Sequence, residues 1–140
     1  MALNLYINAA DAMPGGGALF IKTMNVTHEK MDGKPYQAKP GKYFSLTVRD
    51  TGTGMDKATM DRIFDPFFTT KGLSTGTGLG LASVYGIIKA HGGFIDVDSY
   101  KGRGTTFEIY LPATGQHIEQ ETVLSTEIKQ GLETIIIVDD

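Results

Sequence analysis

Four short segments of this chain hold residue types that could do chemistry together. Asn4, Asn8 and Asp11 are spaced by four and three, which on a helix puts all three on one face. Asparagine is a poor interior helix residue, and side-chain oxygens one turn apart suit a hydrated Mg²⁺ shared with phosphate oxygens. The alternative is a solvent-facing polar stripe. The second segment is Asp50-Thr51-Gly52-Thr53-Gly54-Met55, which closes a strand-like run. A carboxylate there can accept a hydrogen bond from an exocyclic amine. The two glycines let backbone lie against a flat ring, and Met55 offers a polarizable contact. The alternative is a plain β-turn, for which Asp-Thr-Gly is ordinary chemistry.

The third segment, Ile63-Phe64-Asp65-Pro66-Phe67-Phe68-Thr69-Thr70-Lys71, sets aromatics around a proline and ends polar. It reads as a mobile lid anchored by its phenylalanines, since a lid that opens must have few core contacts. The alternative for Phe64, and with it Phe67, is an ordinary core aromatic. The fourth, Gly76-Thr77-Gly78-Leu79-Gly80-Leu81, opens an apolar helix. Amides exposed in a glycine turn at a helix N-terminus make an anion site. It is not a P-loop, because no Gly-Lys-Ser/Thr follows, and its glycine spacing is one residue short of the dinucleotide fingerprint.

Positioning these segments requires elements that the pattern supplies. Residues 3–13 read as a helix stopped by Pro14 and the Gly15-Gly16-Gly17 run. Having no N-cap, it reads as the second half of a longer helix. Strands are expected over about 18–28 and 42–49, joined by a hairpin loop with Gly33, Pro35, Pro40 and Gly41. Asp56 can cap a short helix to about Phe64, ended by Pro66. Leu79, Leu81, Ala82, Val84, Ile87 and Ile88 make an apolar helix closed by His91 and Gly92-Gly93. A hairpin follows, with strands over 94–100 and 105–111 about the turn Lys101-Gly102-Arg103-Gly104. After Pro112 the chain turns polar, and Glu133–Asp140 reads as a buried parallel strand ending in two carboxylates. The expected fold is an α/β sandwich: a mixed, mostly antiparallel sheet with helices on one face and a ligand between the helices and the lid.

Composition bounds the alternatives. At 140 residues, 41% hydrophobic and 21% charged, the chain has material for one domain with a core and not for two complete ones. A net charge of −3 offers no footprint for nucleic acid or anionic lipid. No run approaches the roughly 18 uninterrupted apolar residues of a membrane span. The absence of cysteine excludes disulfides, thiolate metal sites and thiol nucleophiles. The 18 glycines are bunched beside apolar helical stretches, as where backbone closely approaches something. His28 falls in a loop, His91 at a helix C-terminus and His117 in the polar stretch, with no metal-triad spacing.

The series Asn-Leu-x-x-Asn-Ala-x-Asp-Ala-Met, Asp-Thr-Gly-x-Gly-Met, Phe-Asp-Pro-Phe-Phe-Thr-Thr-Lys, Gly-Thr-Gly-Leu-Gly-Leu and Gly-Thr-x-Phe resembles the histidine kinase ATP-binding domain. That family shares its fold with gyrase, the MutL repair proteins and the ninety-kilodalton heat-shock chaperones. The likeness covers about residues 3–112, with every motif in the family's order.

The resemblance implies ATP and Mg²⁺ as cofactors. It makes Asn8 the Mg²⁺ ligand, with Asn4 and Asp11 on the same phosphate-side face and Asn4 and Asn8 as the catalytic pair. Asp50 would pair with the adenine amino group, Gly52 and Gly54 would lie beneath the purine, and Met55 would contact the ring. The lid stretch Gly76, Thr77, Gly78, Leu79 and Gly80 would bind phosphate, Lys71 would reach toward it, and Thr105 would lie near the adenine. The gyrase and chaperone branch places a glutamate as general base where this chain has Asn4. An amide cannot take a proton, so ATP should be held without efficient hydrolysis.

The resemblance further implies a parent hybrid sensor kinase that transfers the ATP γ-phosphate to a histidine on a dimerisation domain absent from this chain. The expected organisation is a catalytic domain over 1–112 lacking its N-terminal part, a linker over 113–132, and the first strand of a truncated receiver over 133–140. Asp139 and Asp140 match the receiver's paired acids. Expected partners are ATP, the phosphoacceptor domain, a response-regulator receiver and a second copy through the apolar edge that the lost half-helix would leave, with no nucleic acid. The location is cytoplasmic, with any membrane anchor upstream. On its own the chain should bind ATP weakly and not autophosphorylate. Two other readings stay open: a serine kinase of the anti-sigma-factor type, and a non-catalytic interaction module.

Overall fold

The computed structural model describes residues 1–70 and 76–114, with 135–139 as backbone. Lys71, His117, most of the expected linker and Asp140 lie outside the described residues. Five strands form one sheet: β1 (Leu19–Thr27), β2 (Lys42–Asp50), β3 (Phe94–Tyr100), β4 (Gly104–Pro112) and β5 (Ile135–Asp139), in the order β3-β4-β2-β1-β5. Every pairing is antiparallel except β1 with β5, so the sheet is mixed and mostly antiparallel, as expected. Helices α1 (Ala2–Ala12) and α3 (Gly80–Ala90), the short α2 (Lys57–Met60) and a 3₁₀ turn at His28–Met31 complete the described elements. Among the described residues no helix is long and apolar enough to cross a membrane.

Strand alternation decides which face is covered. The register sets Leu46 opposite Ile109, Val48 opposite Phe107, and Ile109 opposite Ile95, so these side chains share one face. Leu5 of α1 and, four residues apart on α3, Val84 and Ile88 are buried against it. Burying each large side chain of this kind stabilises by roughly 1.5–3 kcal/mol.

The opposite face is covered by the segment between β1 and β2, whose 3₁₀ turn buries Met31 beside Tyr43 and Tyr110. Tyr36 stacks on Phe94 with ring centroids 4.2 Å apart, and its hydroxyl donates to Asp96 at 2.8 Å. Lys34 Nζ lies 2.9 Å from Asp96 and 3.5 Å from Glu108. Burial and the Asp96 hydrogen bond push the Tyr36 phenol far above its usual range, so it stays a donor. The Asp96 hydrogen bond likewise raises Lys34. Tyr36→Phe should therefore lower the unfolding free energy by about 1–2 kcal/mol, read from a urea transition. An unchanged midpoint would show that the strap is held by stacking alone.

Two expectations need correction. The helix capped by Asp56, whose Oδ1 accepts from Thr59 N at 2.8 Å, ends at Met60 and not near Phe64. The chain tightens into turns there, with Arg62 N bonding Thr59 O and Asp65 N bonding Arg62 O, and Ile63 is buried in the core. Phe67 is not a core aromatic: it is 75% exposed, with φ 66°. Phe64 packs partly against the core and tilts over Tyr85 at 5.1 Å.

Candidate functional site

The loop from Asp50 to Met55 is clamped from two sides. Thr53 N donates to Ala12 O at the end of α1 at 2.9 Å, and Ala18 N donates to Thr51 Oγ1 at 2.9 Å. From the β3–β4 hairpin, Gly102 N donates to Thr53 O at 2.7 Å, while Met55 N donates to Ser99 Oγ at 2.8 Å. Gly54, with φ 63°, must be glycine because a Cβ would overlap the Tyr100 carbonyl oxygen and lie 2.7 Å from its carbon. Asp50 ends β2 almost fully buried, and its Oδ1 accepts from Gly52 N at 2.8 Å and Thr105 N at 3.3 Å. Burial pushes this carboxyl above the usual carboxylate value, and the two N–H groups hold it part of the way back.

Asp50, Thr53, Gly54, Met55 and Thr105 border a cavity of about 450 Å³. Asn4, Asn8 and Asp11 of α1 form one wall together with Ile7. Asp50, Gly54, Met55, Thr105 and Phe107 form the floor, and Phe68, Thr69, Thr70, Gly76, Thr77, Gly78 and Gly80 close the lid side. The polar stripe, the strand-end acid and the glycine turn thus meet in one place. Gly52 and Leu79 do not line it. A Cβ on Gly52 would lie 2.5 Å from Ala12 O, so its glycine serves packing on α1, and Leu79 is 42% exposed.

Two contacts close the lid side onto the helices. Asn4 Nδ2 donates to Gly80 O at 3.3 Å, tying α1 to the first turn of α3. Phe67 N donates to Gly78 O at 3.0 Å, and a Cβ on Gly78, at φ 65°, would overlap the Phe67 carbonyl carbon. Gly78 is therefore needed for close backbone approach as well as for any anion. Ile7, Thr59, Ile63, Phe68, Phe107 and the supporting Ser99 were not foreseen as site residues. Ile63 and Phe68 fall in the aromatic lid segment and Phe107 closes the Gly-Thr-x-Phe motif, so these carried a local signal, as did Ile7, an apolar residue on the polar side of α1; Thr59 and Ser99 carried none.

Chemically the cavity has two ends. One offers a buried carboxylate, a threonine and a methionine side chain, which suit a flat ring bearing an amine. The other offers the side chains of Asn4, Asn8 and Asp11 beside the glycine turn at the N-terminus of α3, which suit phosphates with a hard cation. Among the described residues no group of three His, Cys, Asp or Glu side chains could hold a metal. A cation here would complete its shell with ligand oxygens and water.

Residues 1–115 match the family described as histidine kinase-, DNA gyrase B-, and HSP90-like ATPase. The chain is similar over its whole length to the sensor kinase CckA of Brucella abortus (strain 2308), at 42% identity, and covers 16% of that protein. A structure of the mycobacterial sensor histidine kinase MprB aligns with TM-score 0.58 and 32% identity over 79% of this chain and 66% of that one. Full-length ShkA in complex with AMPPNP aligns with TM-score 0.55 and 27% identity, over 78% of this chain and 20% of that one. The chain spans less than a quarter of the length of the first curated relatives it matches.

Proposed function

This chain belongs to the histidine kinase-, DNA gyrase B-, and HSP90-like ATPase family as an ATP-binding catalytic domain of the sensor histidine kinase type, and from that premise we propose that its cavity holds Mg²⁺-ATP and presents the γ-phosphate to a histidine of a separate dimerisation domain. The observation that carries the proposal is the convergence of Asn8, Asp50 and Gly78 on one cavity.

In this reading Asp50 accepts from the adenine amine beside Thr105, while Gly54 and Met55 lie along the ring. Asn8 binds the cation, with Asn4 and Asp11 beside it, and the stretch from Gly76 to Gly80 holds phosphate. Lys71 is the proposed cation of the lid. Mg²⁺ would neutralise charge on the phosphate oxygens. The chain's own part is to position, which is most of the catalysis in such a transfer. Asn4 has no proton-accepting group, which favours transfer to an external nucleophile over hydrolysis. The same proposal takes residues 113–132 as a linker and 133–140 as the opening strand of a receiver, although in this structure that strand, β5, pairs parallel with β1 at the edge of the sheet. It places the domain on the cytoplasmic side, where ATP is, with the phosphoacceptor and receiver domains as partners.

Calorimetric titration with ATP, with and without Mg²⁺, tests it. Binding should strengthen with Mg²⁺, and Asn8→Ala should weaken Mg²⁺-ATP about tenfold or more while changing metal-free ATP little. No binding at millimolar ATP would end the reading. Equal weakening with and without Mg²⁺ would move Asn8 off the cation.

A further inference from the structure

Ser99 sits on β3 behind the cavity floor and is 3% exposed. Its Oγ accepts from Met55 N at 2.8 Å, lies 3.1 Å from Gly104 O and lies 2.9 Å from Thr105 Oγ1. A serine hydroxyl has one proton and two lone pairs. The Gly104 carbonyl can only accept, so the Ser99 proton goes to it. The Met55 N–H takes one lone pair. What remains for Thr105 is the other lone pair, so the Thr105 proton points at Ser99.

That direction has a consequence in the cavity. Thr105 and Asp50 both line it, and Thr105 N already binds Asp50 Oδ1. With its proton turned inward, the Thr105 hydroxyl has lone pairs alone for a ligand, next to a carboxylate that also only accepts when ionised. We propose that Ser99 is a positioning residue that fixes the proton direction at Thr105 and so selects nucleobases presenting an amine donor over those presenting a carbonyl oxygen at the same edge. This deepens the ATP reading, on which it rests, by naming the residue that sets base selectivity.

The test compares binding of ATP and ITP, in which the amine is replaced by a carbonyl oxygen and the adjacent ring nitrogen carries a proton, to the full chain and its variants by calorimetry in Mg²⁺. In Ser99→Ala the Thr105 proton is free to turn. ATP binding should weaken about tenfold and ITP binding should not, so the ATP-to-ITP preference falls by the same factor, near the worth of one hydrogen bond. Equal weakening of both nucleotides is what a packing role alone would give, and it would overturn the inference while leaving the ATP reading intact. An unmodified chain that binds neither nucleotide would overturn both. Thr105→Val keeps the shape without the hydroxyl and should lose the preference by itself, with Ser99→Ala adding nothing to it in the double variant. Further loss in the double variant would overturn the route through Thr105. Should Ser99→Ala not fold, Thr105→Val decides alone, and an unchanged preference in it overturns the inference.

Discussion

Asp50→Asn should weaken ATP binding by about 10- to 100-fold and leave the fold as stable as before, or more so. The loss follows from hydrogen bonding to a charged acceptor, worth about 1.5–3 kcal/mol. An asparagine oxygen can still accept from Gly52 N and Thr105 N, as Asp50 Oδ1 does. The amide nitrogen then faces the ligand amine, donor against donor. The gain in stability comes from the same burial that raises the carboxyl: a nearly enclosed charge costs free energy that a neutral amide does not.

The pH dependence of the unmodified chain should run in two directions. The folded carboxyl keeps its proton to higher pH than an ordinary aspartate, which titrates near 3.8. Its contribution to stability is therefore full below that value and lost as pH rises through the folded one. ATP affinity changes the opposite way, falling as acid protonates the acceptor. Titration calorimetry and urea unfolding over the same pH series would show both. If Asp50→Asn left ATP affinity unchanged, the cavity would belong to an interaction module and not to a nucleotide.

Gly104→Ala should cost about 3 kcal/mol or more. Gly104 has φ +89°, and a Cβ there would overlap the Asp50 carbonyl oxygen and lie 2.8 Å from its carbon and 2.9 Å from Thr51 Cα. The left-handed conformation alone costs roughly 1–2 kcal/mol for a residue with a side chain. The rest arises because the obstructing atoms are backbone of the central strand β2, which no rotamer change can move aside. Gly102→Ala is the matched control, with φ +80° and nothing within 4 Å of the added Cβ. It should show only the conformational cost, so the difference between the two urea transitions measures the close approach. Equal losses would mean that the hairpin shifts freely against β2.

Local information in the chain reached far. Apolar spacing and Pro14 placed the first helix within a residue of α1, and alternation with turn glycines placed β1 to β4, because helix and strand periods and turn chemistry act over a few neighbours. The motif series indicated the α/β class, the nucleotide family and residues that the fold gathers around one cavity. Tertiary structure alone decided the strand order and register, the strap of Lys34 and Tyr36 over the outer face, the exposure of Phe67, and the placing of Gly52 and Leu79 off the cavity. It also decided the support beneath the site: Ser99 bonds Met55 from 44 residues away, and Thr105 bonds Asp50 across 55. Such partners are chosen by which surfaces meet once the sheet has formed, and a pattern confined to a few successive residues holds no record of that meeting.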